Sequence, residues 1–118
     1  MSVEQTSHDF LFGAYLTPNW AFHRGGDPHA APALIPVYRQ RFAELVNTAT
    51  IGTYWNDYEP EPGKIRFDDM DERIGWCEAN GIAPKIHPLF WLHRNIIPPW
   101  VDTSNPAAYR AAAERYVR

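Results

Sequence analysis

Apolar runs separated by longer amphipathic segments predict alternating strands and helices along this chain. Residues 10–16 (FLFGAYL) form a short run that is almost wholly apolar, as expected of a strand buried on both faces. Residues 49–55 and 82–87 form two further runs, although Pro84 in the last of them has no amide proton to donate to a sheet. The pattern therefore predicts three strands.

Helical periodicity occupies the segment after each predicted strand. The first helix should begin near Pro36, the second should span residues 68–80 with acidic residues in its first turn, and the third should follow the Asn105-Pro106 cap. Their apolar faces comprise Tyr38, Phe42, Leu45 and Val46 in the first, Met70, Ile74 and Cys77 in the second, and Tyr109, Ala113, Tyr116 and Val117 in the third.

This order of strands and helices predicts an α/β fold with a parallel sheet. Three parallel strands leave two exposed edges, and parallel sheets usually have both faces covered. The simplest interpretation is that residues 1–118 are the N-terminal part of a larger (β/α)₈ TIM barrel and supply its first three βα units. A self-contained three-layer domain is the alternative.

Composition favours a carbohydrate partner and argues against nucleic acid. The net charge of −3 provides no basic field for a polyanion. Aromatic residues make up 14% of the chain and include five tryptophans, which is more than a small core needs. We therefore expect some of these rings to line a groove and to contact a ligand.

The sequence also predicts a soluble, cytoplasmic protein without a membrane partner. The N-terminus lacks the basic start and apolar run of a secretory signal, and no apolar stretch approaches the roughly 20 residues that cross a bilayer. The single cysteine, Cys77, cannot form an internal disulfide and is predicted to be a small core residue.

Aromatic and polar side chains gather where the second and third predicted strands end. Tyr54 and Trp55 end the second predicted strand and His87 ends the third, whereas Trp91 and His93 lie in the loop after the third. Ligands of parallel α/β sheets bind at this edge. Rings that stack on the C–H faces of a sugar, together with polar groups that bind its hydroxyls, predict a carbohydrate site.

Other kinds of site find no support in the sequence. The histidines His8, His23, His29, His87 and His93 do not have zinc-ligand spacing, so no metal site is expected. Gly25-Gly26 alone is too weak to indicate a phosphate-binding loop, and the chain has no nucleophile elbow. No cofactor is predicted.

The ordered motifs around these strands resemble glycoside hydrolase family 10, the endo-β-1,4-xylanase family. The matches comprise residues 12–14 (FGA), Trp55, residues 59–68 (EPEPGKIRFD), Asp71, Asn80-Gly81, residues 87–91 (HPLFW) and Pro99-Trp100. Together they extend over essentially the whole chain. The resemblance implies a TIM barrel, a retaining hydrolase of xylan-type chains, and catalytic glutamates at the ends of the fourth and seventh strands, beyond this chain.

Several residues depart from the family pattern. Thr50-Ile51 replaces a Glu-Asn pair, and Tyr54 replaces a lysine, so the charges that bind sugar hydroxyls in the family's inner subsites are missing. The family's histidine after the third-strand tryptophan is Leu92 here, and His93 is the substitute one position later. The inner lining of the site is therefore expected to be built differently.

By resemblance, His87 would lie beneath the inner subsite near the nucleophile, Trp91 would form a wall, and Tyr54 would replace the missing lysine. Trp55 is open to either barrel packing or sugar contact. Trp20, His23 and Trp100 are candidates for an outer rim or for ordinary loop packing.

No catalytic residue is assigned to this chain. Glu59 and Glu61 resemble a catalytic pair, but they precede a helix in a loop. There Glu59 is expected to make structural hydrogen bonds and Glu61 to be a solvated loop charge. Two functions remain open: a retaining hydrolase of β-1,4-linked xylan-type chains, and a non-catalytic glycan-binding or inactive barrel remnant.

Overall fold

The computed structural model describes residues 10–18 and 32–117, which form a three-stranded parallel sheet with helices. The elements are β1 (Gly13–Tyr15), a 3₁₀ turn (Pro32–Leu34), α1 (Ile35–Leu45), β2 (Thr48–Ile51), α2 (Trp55–Tyr58), α3 (Asp68–Ala79), β3 (Ala83–Ile86) and α4 (Pro106–Tyr116). The predicted α/β class is confirmed. Within these described ranges, no helix is both long and apolar enough to span a membrane.

The sheet has the order β1-β2-β3, and its register gives its two faces different roles. Tyr15 pairs with Thr50, and Thr50 pairs with Lys85, so these three residues share one face at the carboxyl ends of the strands. The opposite face carries Ala49 and Ile51, which are buried in a core with α1 and α3. The face of Tyr15 is therefore the one turned away from these two helices.

The first core confirms most of the predicted apolar faces. Its fully buried members are Leu16, Phe42, Ala49, Ile51, Cys77 and Ile82. Met70 and Ile74 pack against them from α3, as predicted, and Tyr38 and Val46 do so beside Phe42. Leu45 was predicted to face inward but is exposed, because it lies on the last turn of α1 beyond the edge of this core.

The prediction that the first strand is buried on both faces is wrong. Phe10, Leu11, Phe12 and Tyr15 are exposed, and only Leu16 at the end of the run is buried. The physical reason is that β1 lies at the edge of the sheet and the first core lies on one side only. The apolar run therefore predicts the strand correctly, but the prediction overestimates how much of β1 is buried by the helices and by β2.

The second strand is shorter than the apolar run predicts, because Trp55 begins the short helix α2. The amide of Asn56 donates to the carbonyl of Ile96 at 2.9 Å, so it does not continue the sheet ladder. The indole of Trp55 donates to Glu59 within the same segment. These tertiary bonds override the strand propensity of the aromatic residues.

Pro84 is compatible with the third strand because β3 is an edge strand. The amides of Ala83 and His87 point towards β2, where they donate to the carbonyls of Asn47 and Ile51 at 2.9 and 3.0 Å. Because backbone amides alternate in direction along a strand, the nitrogen of Pro84 faces the outer edge of the sheet. A proline there removes no ladder hydrogen bond. The third strand therefore forms as predicted despite Pro84.

A second core packs α2 and α4 together beyond the carboxyl ends of the strands. The Asn105 side chain caps α4 by accepting hydrogen bonds from the amides of Ala107 and Ala108, both at 3.2 Å, which confirms the predicted start of this helix. The buried residues of this core are Trp55, Tyr58, Val101, Ala112 and Tyr116. Val117 was predicted to lie inward, but it follows the last turn of α4 and is exposed.

Replacing Gly13 with alanine is expected to destabilise the pairing of β1 and β2. An added Cβ would lie 2.3 Å from Thr48 Cγ2 and 2.8 Å from the Thr48 carbonyl oxygen, and a backbone atom cannot move away cheaply. Such overpacking costs about 1–3 kcal/mol. Gly75→Ala is the matched control, because its Cβ would meet no atom within 4 Å and should stabilise α3 by about 0.5–1 kcal/mol. Urea denaturation of both variants checks the opposite signs.

Candidate functional site

The loops after the three strands meet at the carboxyl edge of the sheet. Tyr15 ends β1, Gly52 to Tyr54 follow β2, and His87 to His93 follow β3. The Leu16 amide donates to the Thr50 carbonyl at 2.9 Å and the His87 amide donates to the Ile51 carbonyl at 3.0 Å, so the backbone holds these segments side by side. This edge contains the site residues that the sequence predicts.

Tyr54, Trp91 and His93 form one continuous group of rings, which we call the aromatic surface. The ring centroids of Tyr54 and Trp91 are 6.3 Å apart with an interplanar angle of 44°, and those of Trp91 and His93 are 5.3 Å apart at 32°. Trp91 is 50% exposed although it contacts both neighbours. A large, half-exposed ring supported on two sides is suited to stack on an apolar ligand face.

The two predicted site histidines have different surroundings. His93 Nδ1 accepts a hydrogen bond from the Asn95 amide at 3.3 Å, which fixes the ring beside Trp91 and leaves Nε2 for other partners. His87 is exposed at the end of β3, and its peptide bond to Pro88 is cis. The Thr53 hydroxyl donates to the Pro88 carbonyl and joins the two loops.

Trp55 lies beneath the aromatic surface in the second core and is 2% exposed. Its ring stacks on Tyr116 with centroids 5.1 Å apart and meets Trp100 edge-on at 5.8 Å. Phe90 packs against it at 5.7 Å. Of the two roles left open for Trp55, the structure supports packing, because the described residues already occupy the ring on several sides.

Glu59 is completely buried and organises the second core. Its carboxylate accepts hydrogen bonds from Trp55 Nε1 and from the Gly63 amide, both at 2.7 Å, and from the Arg115 guanidinium. Burial alone would raise the pKa of Glu59, but these three donors and the charge of Arg115 outweigh it and hold the pKa below its ordinary value. A carboxylate held ionised by three donors has a structural role.

The lowered pKa of Glu59 makes stability depend on pH in a defined direction. The ionised carboxylate stabilises the folded chain fully above the unfolded-state pKa of about 4.3, and this contribution is lost as the pH falls through the lower folded-state value. We expect the free energy of unfolding to fall on acidification below about pH 4.3. Glu59→Gln should flatten this part of the profile, as followed by urea denaturation at several pH values.

Glu61 differs from Glu59 although only Pro60 separates them. Its carboxylate pairs with Lys64 on the surface, and both side chains are exposed. This arrangement confirms the predicted solvated loop charge. Neither glutamate is placed as an acid or base, since Glu59 is enclosed by donors and Glu61 is paired with Lys64 on the surface.

A buried arginine behind the site was missed in the sequence. Arg73 is 1% exposed and donates to the Tyr58 hydroxyl at 2.6 Å and to the Leu16 carbonyl at 3.2 Å. Its charge is balanced by Asp69 at 2.6 Å. The signal that could have found it is the spacing of Arg73 with Met70 and Cys77 on the inward face of α3.

Arg73 and Tyr58 connect the helix α3 to the loop after β2. The Tyr58 hydroxyl accepts from Arg73 and donates to the Gly52 carbonyl at 3.2 Å. Burial raises the pKa of Tyr58 to about 12, against the opposing charge of Arg73, so the hydroxyl stays protonated and keeps this donation. The bond holds the backbone beside Tyr15 in place.

The candidate rim residues, and the histidines that were considered and rejected as metal ligands, are only partly within the described chain. Trp20 and His23 lie outside the described residues, as do His8 and His29. Trp100 packs into the second core, where its indole donates to the Glu59 carbonyl at 3.0 Å. Over residues 10–18 and 32–117, no group of three or more His, Cys, Asp or Glu side chains is placed to hold a metal ion.

A separate cleft of about 640 Å³ lies between α1 and α3 on the helix side of the sheet. There the Arg39 guanidinium covers the Trp76 ring at 5.2 Å and forms a bidentate bridge to Glu72 at 2.6 and 2.7 Å. Arg39 already covers the face of Trp76, and the cleft is remote from the strand ends. The cleft is therefore not the candidate site.

Comparison with known proteins gives partial matches to endo-1,4-beta-xylanases and to an anti-sigma factor. No family model matches the chain. The chain is 36% identical to endo-1,4-beta-xylanase 2 of Arabidopsis thaliana over 64 residues, which make up 54% of this chain and 6% of that protein. It is 35% identical to the anti-sigma-I factor RsgI6 of Acetivibrio thermocellus over 60 residues, or 51% of this chain and 8% of that protein.

Structural comparison extends the likeness to nearly the whole chain. A crystal structure of a glycosylated endo-beta-1,4-xylanase of glycoside hydrolase family 10 from Gloeophyllum trabeum superposes with a TM-score of 0.67 at 24% identity, over 91% of this chain and 31% of that one. The chain thus spans less than a tenth of these curated relatives and about a third of this solved structure. The predicted resemblance is confirmed: the chain is similar in sequence to an endo-1,4-beta-xylanase over about half its length, and in fold to a glycoside hydrolase family 10 xylanase over about nine tenths.

Proposed function

We propose that the protein containing this chain is a retaining glycoside hydrolase that acts on β-1,4-linked xylan-type chains. The chain would supply the first three βα units of a (β/α)₈ barrel and part of its sugar-binding wall. The observation that carries this proposal is the aromatic surface, a half-exposed tryptophan between a tyrosine and a histidine at the carboxyl edge of a parallel sheet. The family resemblance supplies the substrate class.

The aromatic surface would bind sugar rings by stacking and by directed hydrogen bonds. Trp91 offers the apolar face, Tyr54 and His93 flank it with polar atoms, and His87 lies at the end of the neighbouring strand. Because phenol and imidazole groups offer both hydrogen-bond donors and acceptors, they suit the hydroxyls of a pentose chain.

The chemistry itself would require residues beyond this chain. Retaining hydrolysis needs two carboxyl groups roughly 5 Å apart, one as nucleophile and one as acid and base. Glu59 is enclosed by its three donors and Glu61 faces solvent, so neither suits these roles. We therefore expect residues 1–118 alone to bind weakly and not to hydrolyse xylooligosaccharides.

The test of this proposal uses the complete protein and xylotriose. Hydrolysis with the β-anomer as the first product, followed by proton NMR, is the expected result for a retaining enzyme. The α-anomer would refute the retaining mechanism. Absence of hydrolysis with intact binding would refute the enzyme and support the second candidate.

The second candidate is a non-catalytic glycan-binding protein. Two observations favour it: Thr50-Ile51 and Tyr54 stand where the family carries charged subsite residues, and one of the matched relatives is named as an anti-sigma factor rather than as a xylanase. Calorimetric titration of the complete protein with xylotriose separates binding from hydrolysis, because it detects a sugar complex whether or not turnover follows.

A further inference from the structure

Tyr15 at the end of β1 belongs to the same edge of the sheet as the aromatic surface. Its Cα pairs with that of Thr50 in β2, and its side chain shares a face with those of Thr50 and Lys85. This face is turned away from the first core, and Tyr15 is 42% exposed. A phenol in this position is accessible to a ligand that lies across the strand ends.

Gly52 provides the space into which the Tyr15 ring leans. A Cβ at position 52 would lie 2.8 Å from the Tyr15 hydroxyl oxygen and 3.0 Å from its Cε2, so the hydroxyl end of the ring rests against the Gly52 backbone. The same backbone is held from behind by the bond from Tyr58 to the Gly52 carbonyl at 3.2 Å. The position of the phenol is therefore defined by fixed backbone.

Arg73 and Tyr54 have opposite effects on the pKa of the Tyr15 hydroxyl. Burial raises the pKa of Tyr15, the neighbouring Tyr54 raises it further, and the charge and hydrogen bonding of Arg73 oppose both. The raised pKa keeps the phenol protonated at neutral pH. That proton can then be donated to an acceptor such as a sugar hydroxyl.

We propose that Tyr15 is a further sugar-contact residue of this site, with the Gly52 backbone as the group that holds its phenol towards the ligand. This role rests on the proposed function, since it assumes that a glycan binds across the aromatic surface. It also explains how a lining without the family's charged residues can bind sugar: phenol hydroxyls of Tyr15 and Tyr54 replace charged groups as donors.

The experiment is calorimetric titration of the complete protein and its variants with xylotriose. Tyr15→Phe removes only the hydroxyl and should weaken binding roughly threefold to tenfold, the effect of one hydrogen bond. Gly52→Ala should weaken it at least as much, because its Cβ displaces the ring although no ligand-binding group is lost. Thermal denaturation should show that Tyr15→Phe folds like the parent.

Tyr109→Phe is the matched control for loss of a tyrosine hydroxyl. The Tyr109 hydroxyl is buried in the second core with no hydrogen-bond partner within the described part of the chain, so removing it should leave the affinity for xylotriose unchanged. Unchanged affinity in Tyr15→Phe would overturn the proposed contact. If the parent protein binds no xylotriose, both the Tyr15 contact and the proposed function are refuted. If Trp91→Ala weakens binding but Tyr15→Phe does not, only the Tyr15 contact is refuted.

Discussion

Replacing Glu59 with alanine is expected to lower the free energy of unfolding by about 2–4 kcal/mol, since each buried donor left unpaired costs about 1–3 kcal/mol. The Trp55 indole and the Gly63 amide would lose their acceptor at 2.7 Å, and Arg115 would lose its counter-charge. Arg115 is half-exposed and can turn to water, so most of the effect comes from the two N–H donors. Urea denaturation at neutral pH measures it.

Glu61→Ala is the control for this result. Glu61 pairs only on the surface with Lys64 within the same loop, and exposed pairs of this kind contribute less than about 1 kcal/mol. The two variants remove the same side chain two positions apart. Equal destabilisation by both would contradict a structural role of Glu59, and so would a stable Glu59→Ala.

The contrast between these two glutamates shows that a pair of acidic residues close together in sequence does not by itself indicate a catalytic pair. The pair has the composition of a catalytic dyad, although neither member is expected to be catalytic. Burial separates them, because Glu59 is directed into the core by donors from α2, from the Gly63 turn and from α4. Trp55 and Gly63 are each four positions from Glu59 in sequence, whereas Arg115 comes from a helix 56 positions away.

Much of the fold follows from local signals. Helix α3 was predicted over residues 68–80 and spans Asp68–Ala79, and Asn105 caps α4 as its sequence indicates. Helix periodicity and caps are read from neighbouring residues, so they need no tertiary information. The exposure of the side chains on the edge strands could not be predicted in this way. An apolar run indicates that a strand can be buried, but it does not indicate which elements cover it.

The candidate site was predictable to the same extent. The rule that ligands bind at the carboxyl ends of parallel strands identified Tyr54, Trp91 and His93, which the structure brings together. The same rule applied to β1 would have identified Tyr15. Arg73 required the structure, because a charged residue on an amphipathic helix is normally placed on the solvent side, and only its contacts with Leu16, Tyr58 and Asp69 show that it is buried.

Trp91→Ala is expected to have the largest effect on sugar binding. A stacked sugar would cover the exposed half of the ring, and burial of about 50–80 Å² of apolar surface at about 25 cal/mol per Å² contributes roughly 1–2 kcal/mol. The dissociation constant for xylotriose should therefore rise about tenfold. Because the ring is half-exposed and lies outside both buried cores, the free energy of unfolding should change much less than in Glu59→Ala.

Leu92→Ala separates this stacking effect from general loss of apolar surface. Leu92 follows Trp91 in the same loop, is more exposed than Trp91, and makes no ring contact with Tyr54 or His93. Its replacement should leave the affinity for xylotriose within about twofold of the parent, as is usual for exposed positions outside a contact. If Leu92→Ala weakens binding as much as Trp91→Ala, or if neither does, the aromatic surface is not the sugar platform, and the proposed site would have to lie elsewhere on the strand ends.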